Sequence, residues 1–442
     1  MQLLKHIGRA CTALAVAATV HSASAADTWP TFRGEGRTAV SPDTNLLEKW
    51  PEEGPPLVWR TTGVGRGYSS LAISGGKIYT FGDTLSEGAP DNSEYLQCFD
   101  QKTGKRLWLH KTTPLWTGQE NIGWQSPRST PSVDGDCVYV LSPAGVLVAC
   151  KTSDGTELFR VDLVEVYGGK KADPWGYSES PTIDGDKLVI TPGGKKTTMV
   201  AFDKRTGKEI WKTVREGDIG AGHASIVPTN IGGTKVYVTT TGSGALGVRA
   251  EDGKVLWSYP IEKTTAVIPT PIVRNDLVFF AMGYGTGGGA LLKQLPQPNN
   301  EVTIEPVYDL KPELKNKHGG VVLVGDYLFA DRDSSGKPYC AEFMTGKVTW
   351  PEKFRASGRG SAAIAAADGH LYIHYDNGVM VLAKTDPTNY EEVGSFTPPG
   401  TGERPSWAHP VVVDGMLYLR ENDSILCYDV RDKAARSNAG GQ

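Results

Sequence analysis

The chain has 442 residues, a formal net charge of −4 and 22% charged residues, which fits neither a polybasic nucleic-acid-binding surface nor a highly charged disordered polymer. Its 53 glycines and 28 prolines, beside 39% hydrophobic residues, point to a globular chain built from many turns rather than long helices. No stretch beyond residue 25 approaches the roughly 20 consecutive apolar residues that cross a bilayer as a helix.

Residues 1–25 have the pattern of a secretory signal: Lys5 and Arg9 at the basic end, a short apolar core over 11–20, and Ala23-Ser24-Ala25 as a small-residue cleavage site. Cleavage near Ala25 would leave a periplasmic or secreted protein whose charge, with Lys5 and Arg9 gone, is −6. Cys11 precedes most of the apolar core and is badly placed for lipid attachment. Residues 26–56 are Pro-rich and extended, and are expected to pack on the outside of whatever follows.

From residue 57 the chain repeats. Residues 201–211 read Ala-Phe-Asp-Lys-Arg-Thr-Gly-Lys-Glu-Ile-Trp, residues 98–108 nearly duplicate them, and 149–159, 247–257 and 340–350 are looser copies. Each copy suits a strand, a Thr-Gly-Lys turn in which Gly supplies the positive φ, and a second strand ending in an aromatic side chain. An upstream half, Ser/Thr-Pro-x-Val/Ile-x-Gly-Asp and an alternating strand, brings each unit to four strands. The aromatic ends fall at Trp59, Trp108, Phe159, Trp211, Trp257, Tyr308, Trp350 and Phe396, 42 to 52 residues apart. Eight such units predict an all-β protein, an eight-bladed β-propeller of four-stranded antiparallel blades over 57–430. The last unit lacks its outer strand and the first Trp strand lacks its inner ones, so the N-terminal strand is expected to close the ring. Residues 431–442 read as a disordered tail.

Two insertions, 109–125 and 160–176, fall between blades on one face. Their Trp116, Trp124, Tyr167 and Trp175 either form a partner-binding surface or wedge between blades. Gly283-x-Gly285-x-Gly287 is a turn, with no following helix to make it a dinucleotide loop.

Five cysteines follow residue 25. Cys98, Cys340 and Cys427 share one repeat position and read as small buried residues. Cys137 and Cys150 would face each other across a hairpin turning at 142–145, within reach of a disulfide. Asp331, Asp333, Ser335 and Glu342 have the spacing of a calcium loop with Gly336 at its sixth position, although the same residues span a hairpin of the sixth blade.

The Ala-x-Asp-x-x-Thr-Gly-Lys-x-x-Trp unit resembles the repeat of pyrroloquinoline quinone (PQQ)-type propellers, and Trp29-Pro30-Thr31-Phe32-Arg33-Gly34 resembles the start of exported PQQ-like propellers of planctomycete-type bacteria. The resemblance implies the propeller fold and two kinds of relative: quinoprotein dehydrogenases, and non-catalytic outer-membrane assembly propellers of the BamB type. In the dehydrogenases PQQ lies between a Trp and a disulfide of adjacent cysteines, beside a metal held by Glu, Asn and Asp. Adjacent cysteines are absent here, as are a Cys-x-x-Cys-His haem site, a Gly-x-Ser-x-Gly elbow and a His-Glu-x-x-His helix. No cofactor is therefore expected, with PQQ and calcium as the alternative.

Aligning the starts of the eight inner strands places Tyr68, Arg128, Ser178, His223, Ile268, His318, Arg359 and Trp407 at one mouth of the central channel, with Glu179 and His409 just inside. Arginines and rings together suit an anionic or sugar-like ligand; equally, they could bond neighbouring backbone carbonyls. The expected function is a monomeric exported scaffold that binds an envelope or secreted protein. The alternatives are a PQQ-dependent alcohol or sugar dehydrogenase and a propeller that binds a carbohydrate or small anion in its mouth.

Overall fold

The computed structural model describes residues 28–85, 88–118, 124–262, 264–332, 336–402 and 404–432. The signal and cleavage site, most of the tail, Asp333 and Ser335 lie outside them. Eight antiparallel sheets follow one another in sequence, and seven have four strands. The second blade is representative: Ser132–Asp134, Cys137–Leu141, Val146–Lys151 and Glu157–Asp162 run from the channel outward. The sixth keeps three strands, Val322–Val324, Tyr327–Arg332 and Lys337–Glu342, its outermost being reduced to a bridge between Ala341 and Val348. Ring closure is as expected: Leu57–Thr62 pairs antiparallel with Ser424–Asp429 and becomes the outer strand of the eighth blade.

The repeat's Gly and its aromatic end act as one device. Gly104, Gly155, Gly207 and Gly253 have φ between +69° and +79°. A Cβ on any of them would stand 2.5 to 2.7 Å from the ring that ends the preceding unit, respectively Trp59, Trp108, Phe159 and Trp211. The glycine therefore turns its own hairpin and leaves room for the neighbouring blade's ring. Indole N–H groups complete the dock: Trp108 donates to Thr152 O at 3.2 Å, Trp211 to Ala250 O at 3.1 Å and Trp350 to Asp386 O at 2.8 Å.

Nearer the axis, the Ser or Thr before the inner strand stitches blade to blade. Ser70 N donates to Thr130 Oγ1, Thr130 N to Ser180 Oγ, Ser180 N to Ser225 Oγ and Ser225 N to Thr270 Oγ1, at 3.0 to 3.1 Å. The belt satisfies buried amides that the short inner strands leave over. In the sixth blade the corresponding residue is Gly320, which has no hydroxyl to offer.

The N-terminal segment does not pack on the outside of the ring. It bridges Ile73 from Trp29 and Ala366 from Val40, and reaches Arg431 from Leu46, so it crosses one end of the channel as a strap. Two buried arginines tie it down. Arg33 donates to Val321 O at 2.5 Å and to Arg37 O at 3.1 Å; Arg37 donates to Ser180 O, Pro181 O and Thr182 Oγ1 at 2.9 to 3.0 Å. These side chains replace inter-blade bonding on the axis, where no strand can pair.

Two sequence expectations are corrected by register. Cys137 pairs with Lys151 and Cys150 with Val138, so the two thiols face opposite sides of the sheet and enter different cores. All five described cysteines are free and buried. Asp331 pairs with Pro338 and Glu342 with Tyr327, four positions apart along one ladder, or roughly 13 Å at 3.3 Å per residue. Glu342 instead accepts the Thr345 hydroxyl at 2.6 Å, as Asp100 accepts that of Thr103 at 2.7 Å in the first blade. One ion cannot be reached by both Asp331 and Glu342.

Candidate functional site

Because the strap covers one end, the central channel is a blind pocket of about 310 Å³. Phe32 and Arg33 of the strap form its floor with Gly320 and His409, and Trp124 and Trp407 stand at its rim. Of the ten residues aligned at the mouth, Tyr68, Arg128, Ser178, His223, Ile268, His318, Trp407 and His409 line it. Two do not. Arg359 is exposed, with its backbone N–H on Asn377 Oδ1. Glu179 is buried behind the wall, accepts Thr191 N–H at 2.8 Å, and is pushed up to about 8 by burial.

Trp407 spans the sector that Arg359 leaves open. Its indole N–H donates to Asp376 Oδ1 at 2.7 Å, and its ring lies 4.5 Å from His318, 4.7 Å from Tyr68 and 5.7 Å from Trp124.

Two of the four loop aromatics belong to the same site. Trp124 and Trp175 lean into the mouth, held by Arg128, whose guanidinium donates to the backbone carbonyls of Trp124, Trp175 and Ser126. The partly buried Trp116 lies against Gly118 and Gly176, with its backbone N–H on Glu94 Oε1. Tyr167 is no surface residue: it packs edge-on against Phe202 at 5.5 Å between blades two and three. It ends a short helix, Leu163–Tyr167, capped by the Asp162 carboxylate and by left-handed Gly168. The helix was missed because five residues carry too little periodicity to read.

The floor carries polar atoms that nothing among the described residues satisfies. Arg33 is 2% exposed and its Nη1 has no hydrogen-bond partner; the same holds for Nδ1 of His409 and of His318. Gly320 makes room for this guanidinium, since a Cβ there would lie 2.4 Å from Nη1. Burial lowers both imidazoles, His318 to about 3, so each is neutral at neutral pH. Arg33, lowered by burial to about 10, remains a cation. Lys317 joins the wall, its ammonium 5.0 Å from the Tyr284 ring centre. Among the described residues no Asp or Glu side chain lines the pocket.

On the third-blade side, sequence reasoning placed Ser178 and His223 at the mouth but missed Asp173 and Lys171, which join them. His223 Nε2 lies 2.8 Å from Asp173 Oδ2, and His223 Nδ1 is hydrogen-bonded to Ser178 Oγ. Asp173 is almost wholly buried, with Lys171 Nζ at 3.8 Å and the Trp175 N–H on its other oxygen at 3.2 Å.

A quinone beside a metal needs carboxylate ligands and, in the pattern the resemblance implies, two adjacent cysteines. Among the described residues the pocket has no carboxylate wall and there is no His, Cys, Asp and Glu cluster able to hold a metal, and the cysteines are inside the blades. These walls do not fit that group.

Fold and site together define a PQQ-like eight-bladed propeller with a strapped, blind channel. The chain belongs to the family described as outer membrane protein assembly factor BamB, whose model matches residues 92–352. The BamB of Nitrosomonas eutropha is 22% identical over 259 residues, 55% of this chain and 54% of that protein, so the chain spans about half the length of the curated relative it matches. Among solved structures, BamB from Moraxella catarrhalis superposes with a TM-score of 0.56 at 12% identity, over 84% of this chain and 97% of that one. A europium-containing methanol dehydrogenase gives 0.64 at 12% identity, over 89% of each chain. At such identity these two likenesses establish the fold alone, and no described helix is long and apolar enough to cross a membrane.

Proposed function

We propose that this propeller is an exported recognition module of the cell envelope, and that what it recognises is a flat anionic group inserted into the strapped pocket. The group would be an aromatic carboxylate or its like, free or projecting from an envelope partner. One observation carries the reading: the buried Nη1 of Arg33, without a hydrogen-bond partner among the described residues, at the floor of a ring-walled cavity. A buried guanidinium N–H without an acceptor is costly, and a carboxylate satisfies it with a charge-assisted bond. Trp124, Trp175, Trp407 and Tyr68 supply faces for the ring attached to that carboxylate. Membership of the BamB family supports a protein as the bearer of the group. The dehydrogenase alternative is left with fold likeness as its only support.

Indole emission gives a direct assay, because three tryptophans line the pocket. Titration with 2-naphthoate should quench it saturably, and Arg33→Met should weaken binding about 10- to 100-fold, the loss expected for a hydrogen bond to a charged group worth about 1.5–3 kcal/mol. Absence of quenching at millimolar ligand, or an unchanged affinity in Arg33→Met, would refute the reading.

A further inference from the structure

The pocket wall holds a Ser, a His and an Asp in series. His223 is neutral at neutral pH, because burial and then the nearby cations Lys171 and Arg128 outweigh the pull of Asp173 and lower it to about 4. Burial alone would raise the Asp173 carboxyl, but His223 and Lys171 hold it well below the usual carboxylate range, so it is ionised and can only accept. Its partner at 2.8 Å, Nε2 of His223, must therefore carry the ring's single proton. That fixes the tautomer: Nδ1 has the lone pair, and Ser178 donates its hydroxyl to it. A serine that lines a cavity and donates to a neutral imidazole, itself oriented by a buried carboxylate, is the arrangement that activates a hydroxyl nucleophile.

We infer that Ser178 is a nucleophile toward carboxylic esters small enough to enter the pocket, with His223 as its general base and Asp173 as the positioning residue of that base. The inference rests on the pocket reading above for its substrate class, an ester with an aromatic acyl or alcohol part. Ser178 Oγ attacks the carbonyl carbon; the Oγ–C bond forms as the hydroxyl proton passes to His223 Nδ1. The bond from carbon to the alcohol oxygen breaks, and the alkoxide leaves with that proton. A water molecule then bonds the acyl carbon through its oxygen as it gives a proton to the same nitrogen; the carbon–Oγ bond breaks, Oγ takes that proton back from His223, and the acid leaves. The Arg128 guanidinium, on the same wall and close enough for its charge to bear on His223, provides the positive field for the tetrahedral oxyanion.

Three features hid this group from a sequence reading. Ser178 stands in Gly176-Tyr177-Ser178-Glu179-Ser180, one residue short of the elbow pattern; His223 comes from the next blade; and Asp173 sits in an insertion.

The test is covalent labelling of the full chain with a fluorophosphonate, read by peptide mass spectrometry, beside hydrolysis of 4-nitrophenyl acetate. Labelling of Ser178 and ester turnover are expected. Ser178→Ala should lose both with a melting temperature unchanged within about 2 °C. Asp173→Asn should slow labelling by about 10²-fold or more, the usual worth of a positioned base, and Ser178→Cys should recover acylation by the ester. No label at Ser178 in the wild-type protein, or a label and turnover that survive Ser178→Ala, would overturn the inference. The naphthoate titration of the wild-type protein is independent of this outcome. Quenching without labelling refutes the nucleophile and leaves the binding reading standing; neither result refutes both.

Discussion

The docking of blades through a glycine gives a quantitative test in one blade. Gly155 has φ +76°, and a Cβ on it would stand 2.7 Å from Cε3 of Trp108. The left-handed conformation costs an L-residue about 1–2 kcal/mol, and displacing a packed ring adds about 1–3 kcal/mol, so Gly155→Ala should destabilise by about 2–5 kcal/mol. Gly135 is the internal control. It has φ +57° in the same blade, yet a Cβ there meets nothing within 4 Å. Gly135→Ala should therefore cost only the conformational part, about 1–2 kcal/mol. Alanine stiffens the unfolded chain equally at both sites, so that term cancels from the difference. Urea unfolding followed by indole fluorescence measures both variants. In a Trp108→Ala background the excess at Gly155 should vanish, which closes the cycle on the Gly–ring contact. Equal costs for the two glycines, or an excess that survives removal of the indole, would show that the ring does not dock on the turn.

Deleting residues 26–62 removes both the strap and the strand that pairs with Ser424–Asp429, and should lower the melting temperature sharply and expose the eighth blade to protease; unchanged melting would sink ring closure as described. Glu179 gives a pH dependence of known sign. Its folded value of about 8 lies above the ordinary 4.5, so its contribution to stability is full below pH 4.5 and is lost as pH rises toward and through 8. Glu179→Gln keeps an oxygen for the Thr191 N–H, so variant and wild type should melt together at pH 5 and the variant should melt higher at pH 9; a variant less stable at both would contradict the assignment.

The parts of the fold that were legible in the sequence are those fixed within one unit. Thr-Gly-Lys followed by an aromatic end specifies a hairpin locally, and repeating it eight times leaves a ring as the simplest closure. What was not legible depends on register or on other blades. The predicted Cys137–Cys150 pair assumed a four-residue turn, but Leu141 pairs with Leu147, and the extra residue moves Cys150 to the opposite face. The Ser/Thr before the inner strand was visible as a repeated letter, while its purpose, accepting an amide from the preceding blade, exists only after the blades stack. Arg33 was quoted as part of an opening motif. Its contact with Val321 is 288 residues distant, and nothing near it in sequence says that it is buried.

A ring of near-identical blades offers eight equivalent positions around its axis, and recognition of an asymmetric ligand requires that equivalence to be broken. Here it is broken at particular residues. The hydroxyl belt ends at Thr270 of the fifth blade, and beside Gly320 of the sixth the space is taken by the Arg33 guanidinium. Trp407 fills the mouth over the seventh sector and displaces no blade in doing so. On the second- and third-blade side, Arg128 holds Trp124 and Trp175, one from each insertion, at the mouth. Cations therefore stand at floor and wall and rings stand at the rim of the cavity that Ser178 and His223 also line. The thin, planar, anionic group proposed above would fit such a cavity better than a sugar chain would. Because the strap blocks the far end, such a group would stop at Arg33 rather than pass through.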